Sequence, residues 1–348
     1  MRQDSAEALM AQDIQRIATH VDLTALSGQH LLLTGCTGFF GKWLLVMLAM
    51  LNRNGAAIQV TAVSRSPEQF LCRYPQYADA AWIRWLQADV RALDGVLAGV
   101  RVDGVIHAAT DTLGGGQADA LQLYDTILGG ARSVLELAVR SGARRVLFTG
   151  SGAQYGALPW GCPVAESSAR ACDSTQPASA YAEGKRAQET LAALYAQRHG
   201  LEVVFTRCFA FSGPGLALDA HFAIGNFVRD ALYQDELVLN SSGSAVRSYL
   251  YGADLAVWLL ALLARGEGGQ AYNVGSDKAL SIAELAHRVV ARLAPGKPVR
   301  ILGQDAAAQA RSYYVPDIAK ARALGLDDWT TLDQSIDSMG RWAAALDR

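Results

Sequence analysis

The sequence predicts an α/β protein: a doubly wound parallel sheet with helices on both faces, and a smaller C-terminal α/β domain. Over the first two thirds of the chain, short runs of Val, Ile, Leu and Phe alternate with longer helical patterns. This alternation is expected where crossover helices connect parallel strands. The runs are apolar throughout, as in strands that are buried on both faces. After about residue 214 the alternation fades, which places the smaller domain at the C-terminal end.

The predicted elements follow one another in a regular order. An amphipathic helix opens the chain, with Leu9, Ile14 and Ile17 on its apolar side. Six strands connected by helices come next, within residues 30–35, 58–65, 84–90, 102–110, 144–152 and 201–214. The C-terminal third then predicts a helix over 218–232, a small hairpin over 237–251, a helix over 252–266 capped near Asp254, a strand over 271–276, a helix opened by a Ser281–Glu284 capping box, a strand over 298–303 and two final helices.

These elements divide the chain into three parts. Residues 1–27 form a helical extension, and residues 28–209 form the large sheet domain, to which 252–275 returns. The smaller domain consists of 210–251 and 276–348.

Composition excludes several classes of protein. The 348 residues are 51% hydrophobic with a net charge of −2, and no Lys/Arg run indicates nucleic-acid binding. The longest apolar stretch, residues 43–51, is too short to cross a membrane. The N-terminal segment lacks a hydrophobic signal core, and the five cysteines are scattered without a Cys-x-x-Cys pair. We therefore expect a cytoplasmic protein with no metal site.

Three glycines follow the first predicted strand. Gly35, Gly38 and Gly41 lie where the strand passes into an apolar helix, and backbone amides at such a helix start can hold a pyrophosphate. The alternative is a tight turn with no ligand. The Gly-x-x-Gly-x-x-Gly spacing differs from the common Gly-x-Gly-x-x-Gly fingerprint. The turn predicts a Rossmann dinucleotide-binding domain.

The end of the second strand bears on the cofactor. Ser64 and Arg65 stand where an acidic residue would hold a ribose diol. A guanidinium beside a hydroxyl suits the 2′-phosphate of NADP. An equal alternative is that Arg65 is only a solvated surface charge, in which case the cofactor can be NAD. Asp89, after the third strand, is placed to accept from an adenine amine.

A second group of residues indicates acid–base chemistry. Tyr181 and Lys185 are four residues apart and therefore share a face of a helix. An ammonium near a phenol favours the phenolate, which predicts a lowered pKa for Tyr181. Ser151, at the end of the fifth strand, lies at the carboxyl edge of the sheet, where ligands bind.

Taken together, these motifs resemble the extended short-chain dehydrogenase/reductases of the nucleotide-sugar epimerase/dehydratase group. The matching stretches are TGCTGFFG, HAA at 107–109, Ser151, YAEGK, VRSYLYGADLA, YNVGS and VPDIAKARALGL. The resemblance implies a nicotinamide cofactor and a C-terminal domain that grips a nucleoside diphosphate sugar. It makes Tyr181 the acid/base and Ser151 the partner of the substrate hydroxyl, while Lys185 tunes Tyr181 and binds the nicotinamide ribose. The implied cofactor site comprises Gly35, Thr37, Gly38, Phe39, Phe40, Gly41, Ser64, Arg65, Asp89, Val90, Ala108, Ala109, Thr110 and Lys185.

The resemblance also implies a substrate site. Arg247 and Arg311 match the arginines that clamp the sugar-nucleotide diphosphate, and a surface role is the alternative, above all for Arg311. Thr112, His221 and Asn226 lie in unusual segments that suggest a particular sugar pocket. For His221 a polar residue at the core edge is an equally good interpretation.

Two departures narrow the reaction. The 4,6-dehydratases of the group carry an Asp-Glu pair after the active-site hydroxyl residue, where this chain has Gly152 and Ala153. The chain also has Ala210 where many relatives place Asn. Dehydration is therefore disfavoured, and redox chemistry at C4 of the sugar remains.

Several functions stay open at this point. A 4-ketoreductase using NADPH is slightly favoured by Arg65, and a C4 epimerase with retained NAD is the main alternative. A carbonyl reductase acting outside carbohydrate metabolism and a non-catalytic NADP-binding protein are less favoured. The resemblance further implies a homodimer that pairs through the helices at 121–141 and 181–198.

Overall fold

The structure is a computed structural model that describes residues 2–97, 99–110, 119–220, 222–303 and 312–346. Its strands are β1 (His30–Thr34), β2 (Gln59–Ser64), β3 (Ile83–Gln87), β4 (Gly104–His107), β5 (Arg145–Ser151), β6 (Glu202–Cys208), β7 (Ala210–Ser212), β8 (Leu237–Leu239), β9 (Val246–Arg247), β10 (Tyr249–Tyr251), β11 (Ala271–Val274), β12 (Leu280–Ser281), β13 (Val299–Ile301) and β14 (Tyr313–Tyr314). Its α-helices are α1 (Arg2–Ile17), α2 (Phe39–Arg53), α3 (Pro67–Arg73), α4 (Ala120–Arg140), α5 (Ala180–His199), α6 (Ala223–Tyr233), α7 (Gly252–Arg265), α8 (Ile282–Leu293), α9 (Ala319–Arg322) and α10 (Leu332–Leu346).

A seven-stranded sheet forms the centre of the molecule. Its order is β3-β2-β1-β4-β5-β6-β11, and every pair of neighbours is parallel. The chain moves outward from β1 in one direction and then in the other, so the order reverses between β1 and β4. This topology confirms the predicted doubly wound α/β fold, whose ligand crevice lies at the carboxyl ends of the strands beside the reversal.

The two faces of the sheet are buried by different helices. Successive residues of β1 alternate between them: Leu31 and Leu33 pack with α2 and α7, whereas Leu32 packs with α4 and α5. Because side chains alternate along a strand, a strand that is covered on both faces needs an unbroken apolar run. The predicted strand pattern is thus explained by helices on both sides.

Helix α7 is buried on all sides, and its residues from Gly252 to Leu263 are almost inaccessible to solvent. Asp254 was expected near its cap, but the helix already begins at Gly252. Asp254 instead accepts hydrogen bonds from the backbone N–H and the hydroxyl of Thr330, both at 3.0 Å. Burial raises the pKa of this carboxyl to about 7.

A separate apolar core lies in the C-terminal part, among α6, α8, α10, β8 and β13. The predicted capping box is present, since the Ser281 hydroxyl accepts from the Glu284 N–H while the Glu284 carboxylate accepts from the Ser281 N–H. The predicted hairpin over 237–251 is wrong. Its strands β8, β9 and β10 belong to three different small sheets, because each finds a partner distant in sequence. The domain boundaries stay predictions.

The N-terminal helix α1 packs against α2, α7 and α10. Ile14 and Ile17 are fully buried, as predicted, and Leu9 is half-buried. On the same helix, the buried Asp13 carboxylate accepts hydrogen bonds from the hydroxyls of Tyr251 and Ser338. Across the described ranges, none of the helices combines the length and the apolar character that crossing a membrane requires.

Candidate active site

The glycine turn between β1 and α2 is as tightly constrained as its sequence suggests. Gly35 has φ +72°, and a Cβ atom on it would lie 2.4 Å from the Ala108 carbonyl oxygen. A Cβ atom on Gly41 would lie 2.3 Å from the Cys36 backbone, so the first turn of α2 packs directly on the loop. Gly38 is the N-cap residue of α2. The helix start is therefore approachable by a ligand's pyrophosphate, and these residues fit a dinucleotide.

Further predicted cofactor residues lie in this turn, directly after β4 and, for Val90, against α4. Ala108, Ala109 and Thr110 directly follow β4, and the Ala109 N–H donates to the Thr34 hydroxyl at 3.3 Å. Thr37 is half-buried within the turn, and Val90 packs against Gly130. Phe39 and Phe40 begin α2, where the Phe40 ring meets Phe211 edge-on at 4.9 Å.

The end of β2 is exposed and rich in charge. Ser64 ends the strand and Arg65 follows it in solvent. Asp89, expected to meet an adenine amine, has both carboxylate oxygens engaged by the Arg91 guanidinium at 3.0 and 2.7 Å. This ion pair, with a smaller contribution from Arg65, lowers the pKa of Asp89 to about 2. Two arginines therefore act on the carboxylate of Asp89, and the predicted contact of Asp89 with an adenine stays a prediction.

Ser151 and Tyr181 meet at the carboxyl edge of the sheet. Ser151 is the buried last residue of β5, and its hydroxyl accepts from the Ala153 N–H at 3.2 Å. Tyr181, in the first turn of α5, interacts with this hydroxyl. Burial is the largest cause acting on the Tyr181 phenol and raises its pKa. The lowered pKa predicted from the sequence is therefore not found.

The position of Lys185 explains that difference. Its ammonium donates to the Thr110 hydroxyl at 2.7 Å and to the Thr149 carbonyl at 2.8 Å, and these bonds direct the charge toward the sheet. The side chain is 2% exposed, and burial lowers the pKa of its ammonium to about 8. Lys185 thus connects α5 to the ends of β4 and β5.

A further tyrosine, missed in the sequence, lies at the same place. The Tyr314 hydroxyl donates to the Cys208 carbonyl at 3.3 Å and interacts with Ser151, and burial raises its pKa. The guanidinium of Arg247 lies over its ring at 5.8 Å. Tyr314 directly precedes the VPDIAKARALGL stretch, so its proximity in sequence to that motif was the available signal.

The predicted substrate residues are only partly brought together. Arg247 is half-buried, donates to the carbonyls of Val246 and Ser312, and lies over the ring of Tyr314. Asn226 lies in α6, where its amide donates to the Ala220 carbonyl at 2.9 Å. The predictions for Thr112, His221 and Arg311 fall outside the described residues.

Comparison with known proteins connects this geometry to a family. The sequence model described as the NAD dependent epimerase/dehydratase family matches residues 31–275. This range includes the glycine turn, Ser151, Tyr181, Lys185 and Arg247. The resemblance found in the sequence is therefore confirmed.

Individual relatives cover less of the chain. It is 30% identical over 213 residues to UDP-glucuronic acid decarboxylase 6 of Arabidopsis thaliana, which is 60% of this chain and 60% of the relative. It is 29% identical over 209 residues to UDP-glucuronic acid decarboxylase 1 of Xenopus tropicalis, 60% of this chain and 48% of the relative. The matches thus span at most about three fifths of these curated relatives' own length.

Solved structures match nearly the whole fold. The dTDP-glucose 4,6-dehydratase of Streptomyces venezuelae, solved with NAD bound, has a TM-score of 0.76 at 25% identity, covering 90% of this chain and 97% of that one. The UDP-glucose 4-epimerase of Thermotoga maritima, solved with UDP-glucose, has a TM-score of 0.77 at 18% identity, covering 92% and 100%. The second likeness concerns the fold alone.

Proposed function

Because the chain belongs to the NAD dependent epimerase/dehydratase family, we propose that it performs redox chemistry at C4 of a nucleoside diphosphate sugar, through a 4-keto sugar. We propose reduction of such a keto sugar with NADPH as its reaction. The observation that carries this proposal is the contact between Ser151 and Tyr181 at the carboxyl end of β5, the strand next to the point where the order reverses. Lys185, on the same helix as Tyr181, is hydrogen-bonded to Thr149 of β5.

Each of these side chains has a role that its surroundings permit. Tyr181 exchanges a proton with the C4 oxygen of the sugar, and the Ser151 hydroxyl holds that oxygen in place. The nicotinamide cofactor supplies the hydride donor and acceptor. Lys185 keeps a positive charge within the site, and it binds the nicotinamide ribose by exchanging one of its protein acceptors for a ribose hydroxyl. Since burial raises the pKa of Tyr181, its phenol is protonated at neutral pH and is ready to act as the acid in a reduction.

The charges near the adenosine end favour NADP. Arg65 and Arg91 both act on the carboxylate of Asp89, so two guanidinium groups lie close to this carboxylate. A 2′-phosphate is a dianion that planar guanidinium groups bind well. NAD is the alternative, since the dTDP-glucose 4,6-dehydratase of Streptomyces venezuelae was solved with NAD bound.

Epimerisation at C4 is the second candidate, since a 4-epimerase shares this fold over 92% of the chain. The same three residues serve both reactions. A reductase releases the reduced sugar and the oxidised cofactor, whereas an epimerase retains the cofactor and returns the hydride to the other face of the sugar.

We also propose an oligomeric state, a phosphate-binding residue and a cellular location for the enzyme. A homodimer is supported by α4 and α5, which pack side by side and expose Leu121 (76%) and Leu194 (58%). The substrate phosphates are assigned to Arg247, and a cytoplasmic location suits an enzyme that consumes NADPH.

The experiment begins with the cofactor that copurifies. Denaturation of the protein followed by mass spectrometry identifies any retained NAD or NADP. Fresh enzyme is then incubated with 4-keto sugar nucleotides, with UDP-glucose and with UDP-glucuronic acid, each with NADPH deuterated at C4 of the nicotinamide. Deuterium in the sugar with stoichiometric NADP formation supports the reductase.

The other outcomes are equally distinct. Exchange between C4 isomers without net cofactor turnover identifies an epimerase, and release of CO2 from UDP-glucuronic acid identifies a decarboxylase. If the protein binds the cofactor but converts none of these sugars, while simple ketones are reduced, the assignment to nucleotide sugars is wrong.

A further inference from the structure

A buried glutamine lies beside the ammonium of Lys185. Gln188 follows Lys185 by three residues on α5, so both side chains leave the same face of the helix. Gln188 has no exposed surface, although a glutamine side chain is polar and is seldom fully buried. Burying its amide is costly unless the amide is paired, so its partners are informative.

Those partners belong to the proposed active site. The Gln188 carboxamide oxygen accepts from the Lys185 ammonium at 3.5 Å, and its NH2 group donates to the Thr149 carbonyl at 3.5 Å. The Thr149 carbonyl also accepts from Lys185 at 2.8 Å. Reversing the amide would place NH2 against the ammonium and oxygen against the carbonyl, so the charge pattern determines its orientation.

The Lys185 ammonium has three N–H donors, and the structure supplies three acceptors. They are the Thr110 hydroxyl, the Thr149 carbonyl and the Gln188 carboxamide. In the described part of the chain no carboxylate reaches ion-pair distance of Lys185. The adjacent Glu189 pairs with Arg207 at 2.9 Å instead. Within the described ranges, the acceptors of this buried charge are therefore neutral oxygens.

The titratable groups that face Lys185 are also neutral near pH 7. From β4, His107 is kept neutral because burial lowers its pKa to about 3. From β6, Cys208 remains a thiol because burial raises its pKa to about 12. On α5 itself, burial raises the pKa of the Tyr181 phenol. Because the described residues place no compensating anion near Lys185, each neutral acceptor contributes more to stabilising its charge.

We propose that Gln188 is a positioning residue whose buried carboxamide holds the Lys185 ammonium at the end of β5, between the Thr149 carbonyl and the Thr110 hydroxyl. The inference rests on the proposed function for its consequence: a correctly placed, charged Lys185 keeps Tyr181 competent for proton transfer. The contact between Gln188 and Lys185 can be tested without any substrate.

The test uses the small number of lysines. The chain has only five, Lys42, Lys185, Lys278, Lys297 and Lys320, so lysine labelled with 13C at the ε carbon gives few NMR signals. Loss of one signal in Lys185→Arg assigns it. The pH titration of the Lys185 signal is then compared in the full-length wild type, Gln188→Met and Gln188→Glu.

The two variants are expected to move the titration in opposite directions. Gln188→Met removes the acceptor at similar volume and lowers the Lys185 midpoint by about one pH unit, whereas Gln188→Glu supplies an anion and raises it by about one unit or more. Gln154→Met is the matched control. Gln154 is also buried, but its carboxamide oxygen accepts from the Ser151 N–H and not from Lys185, so the midpoint should stay unchanged.

Activity provides the second readout. With the substrate identified as above, the alkaline limb of the kcat–pH profile should follow the NMR midpoint in each Gln188 variant, with KM for the sugar nearly constant.

An unchanged Lys185 midpoint in both Gln188 variants overturns the inference. If Gln188→Met does not fold, Gln188→Glu alone decides: a carboxylate beside the Lys185 ammonium must raise its midpoint, and an unchanged midpoint overturns the inference. The titration is interpretable even if no nucleotide sugar is converted, so the two proposals fail separately.

Discussion

The ring of Phe209 occupies the space that a side chain at Gly152 would need. A Cβ atom on Gly152 would lie 2.7 Å from Cζ of Phe209 and 2.8 Å from two further ring carbons. The ring cannot move aside easily, because it packs on Tyr314 at 4.6 Å between ring centroids and on Tyr155 at 6.3 Å. The Phe209 ring therefore leaves no room at position 152 for the aspartate that the 4,6-dehydratases carry there.

This relationship predicts that Gly152→Asp is destabilising while Phe209 is present. Overpacking of this kind costs about 1–3 kcal/mol, and Gly152→Asp should lower the free energy of unfolding by about that amount. In a Phe209→Ala background the same substitution should cost much less. Denaturant unfolding of the two single variants and the double variant gives the coupling energy. Additive effects would show that the ring does not exclude a side chain at position 152.

Removal of the Tyr181 hydroxyl should slow the chemical step without loss of cofactor binding. General acid–base groups contribute roughly 10²- to 10⁴-fold, so Tyr181→Phe should lower kcat by about that factor. The affinity for NADPH, measured by fluorescence titration, should change little. A Tyr181→Phe variant with full turnover would make the non-catalytic NADP-binding alternative the better account.

Arg247 should separate sugar nucleotides from uncharged carbonyl substrates. Its guanidinium lies over the ring of Tyr314, whose hydroxyl interacts with Ser151, and a diphosphate needs directed donors. Arg247→Ala should raise KM for the sugar nucleotide by about 100-fold, which corresponds to about 2.7 kcal/mol, and Arg247→Lys should fall between because it lacks the planar fork.

The control for this prediction is Arg288→Ala. Arg288 lies on α8 in the C-terminal part, and the substitution removes its exposed ion pair with Asp333 of α10. It should leave KM unchanged. An equal response of both variants, or an unchanged KM in Arg247→Ala, would contradict a diphosphate role for Arg247.

Cofactor preference should depend on Arg65. If its guanidinium meets a 2′-phosphate, Arg65→Ala should weaken NADP by about tenfold or more, since one charge-assisted contact is worth about 1.5–3 kcal/mol. Binding of NAD should hardly change, and NAD therefore serves as the internal control. Isothermal titration of both dinucleotides measures the ratio, and a parallel loss of both would mean that Arg65 acts on the fold instead.

The parts of the fold that the sequence predicts well are those with strong local signals. The strand at 30–34 and the Ser281–Glu284 cap are specified by a few adjacent residues, and the structure has them as expected. The prediction of a hairpin over 237–251 was wrong because the short strands of this segment pair with strands distant in sequence, such as β8 with β13. No local pattern determines such partners.

The same distinction applies to the site. Ser151 is recognisable from its position at the end of a predicted strand. Tyr181 and Lys185 are recognisable from their four-residue spacing on a predicted helix. Tyr314 and Gln188 are not, since their importance comes from contacts formed only in the folded chain. The pKa of Tyr181 was predicted in the wrong direction because a sequence shows neither the burial of the phenol nor the direction of the Lys185 ammonium.

Asp254 should make the stability of the enzyme depend on pH. Its pKa is about 7 in the folded chain and about 4 when unfolded, so the folded state binds the additional proton. Stability from this group is present below about pH 4 and is lost as the pH rises to 7, with a slope of at most about 1.4 kcal/mol per pH unit. Asp254→Asn should remove that slope, and its free energy of unfolding relative to wild type should therefore increase between pH 5 and pH 8 in urea unfolding. Asp94→Asn, which alters an exposed carboxylate, should run parallel to wild type. Parallel curves for Asp254→Asn as well would mean that the buried carboxyl is already ionised at pH 5.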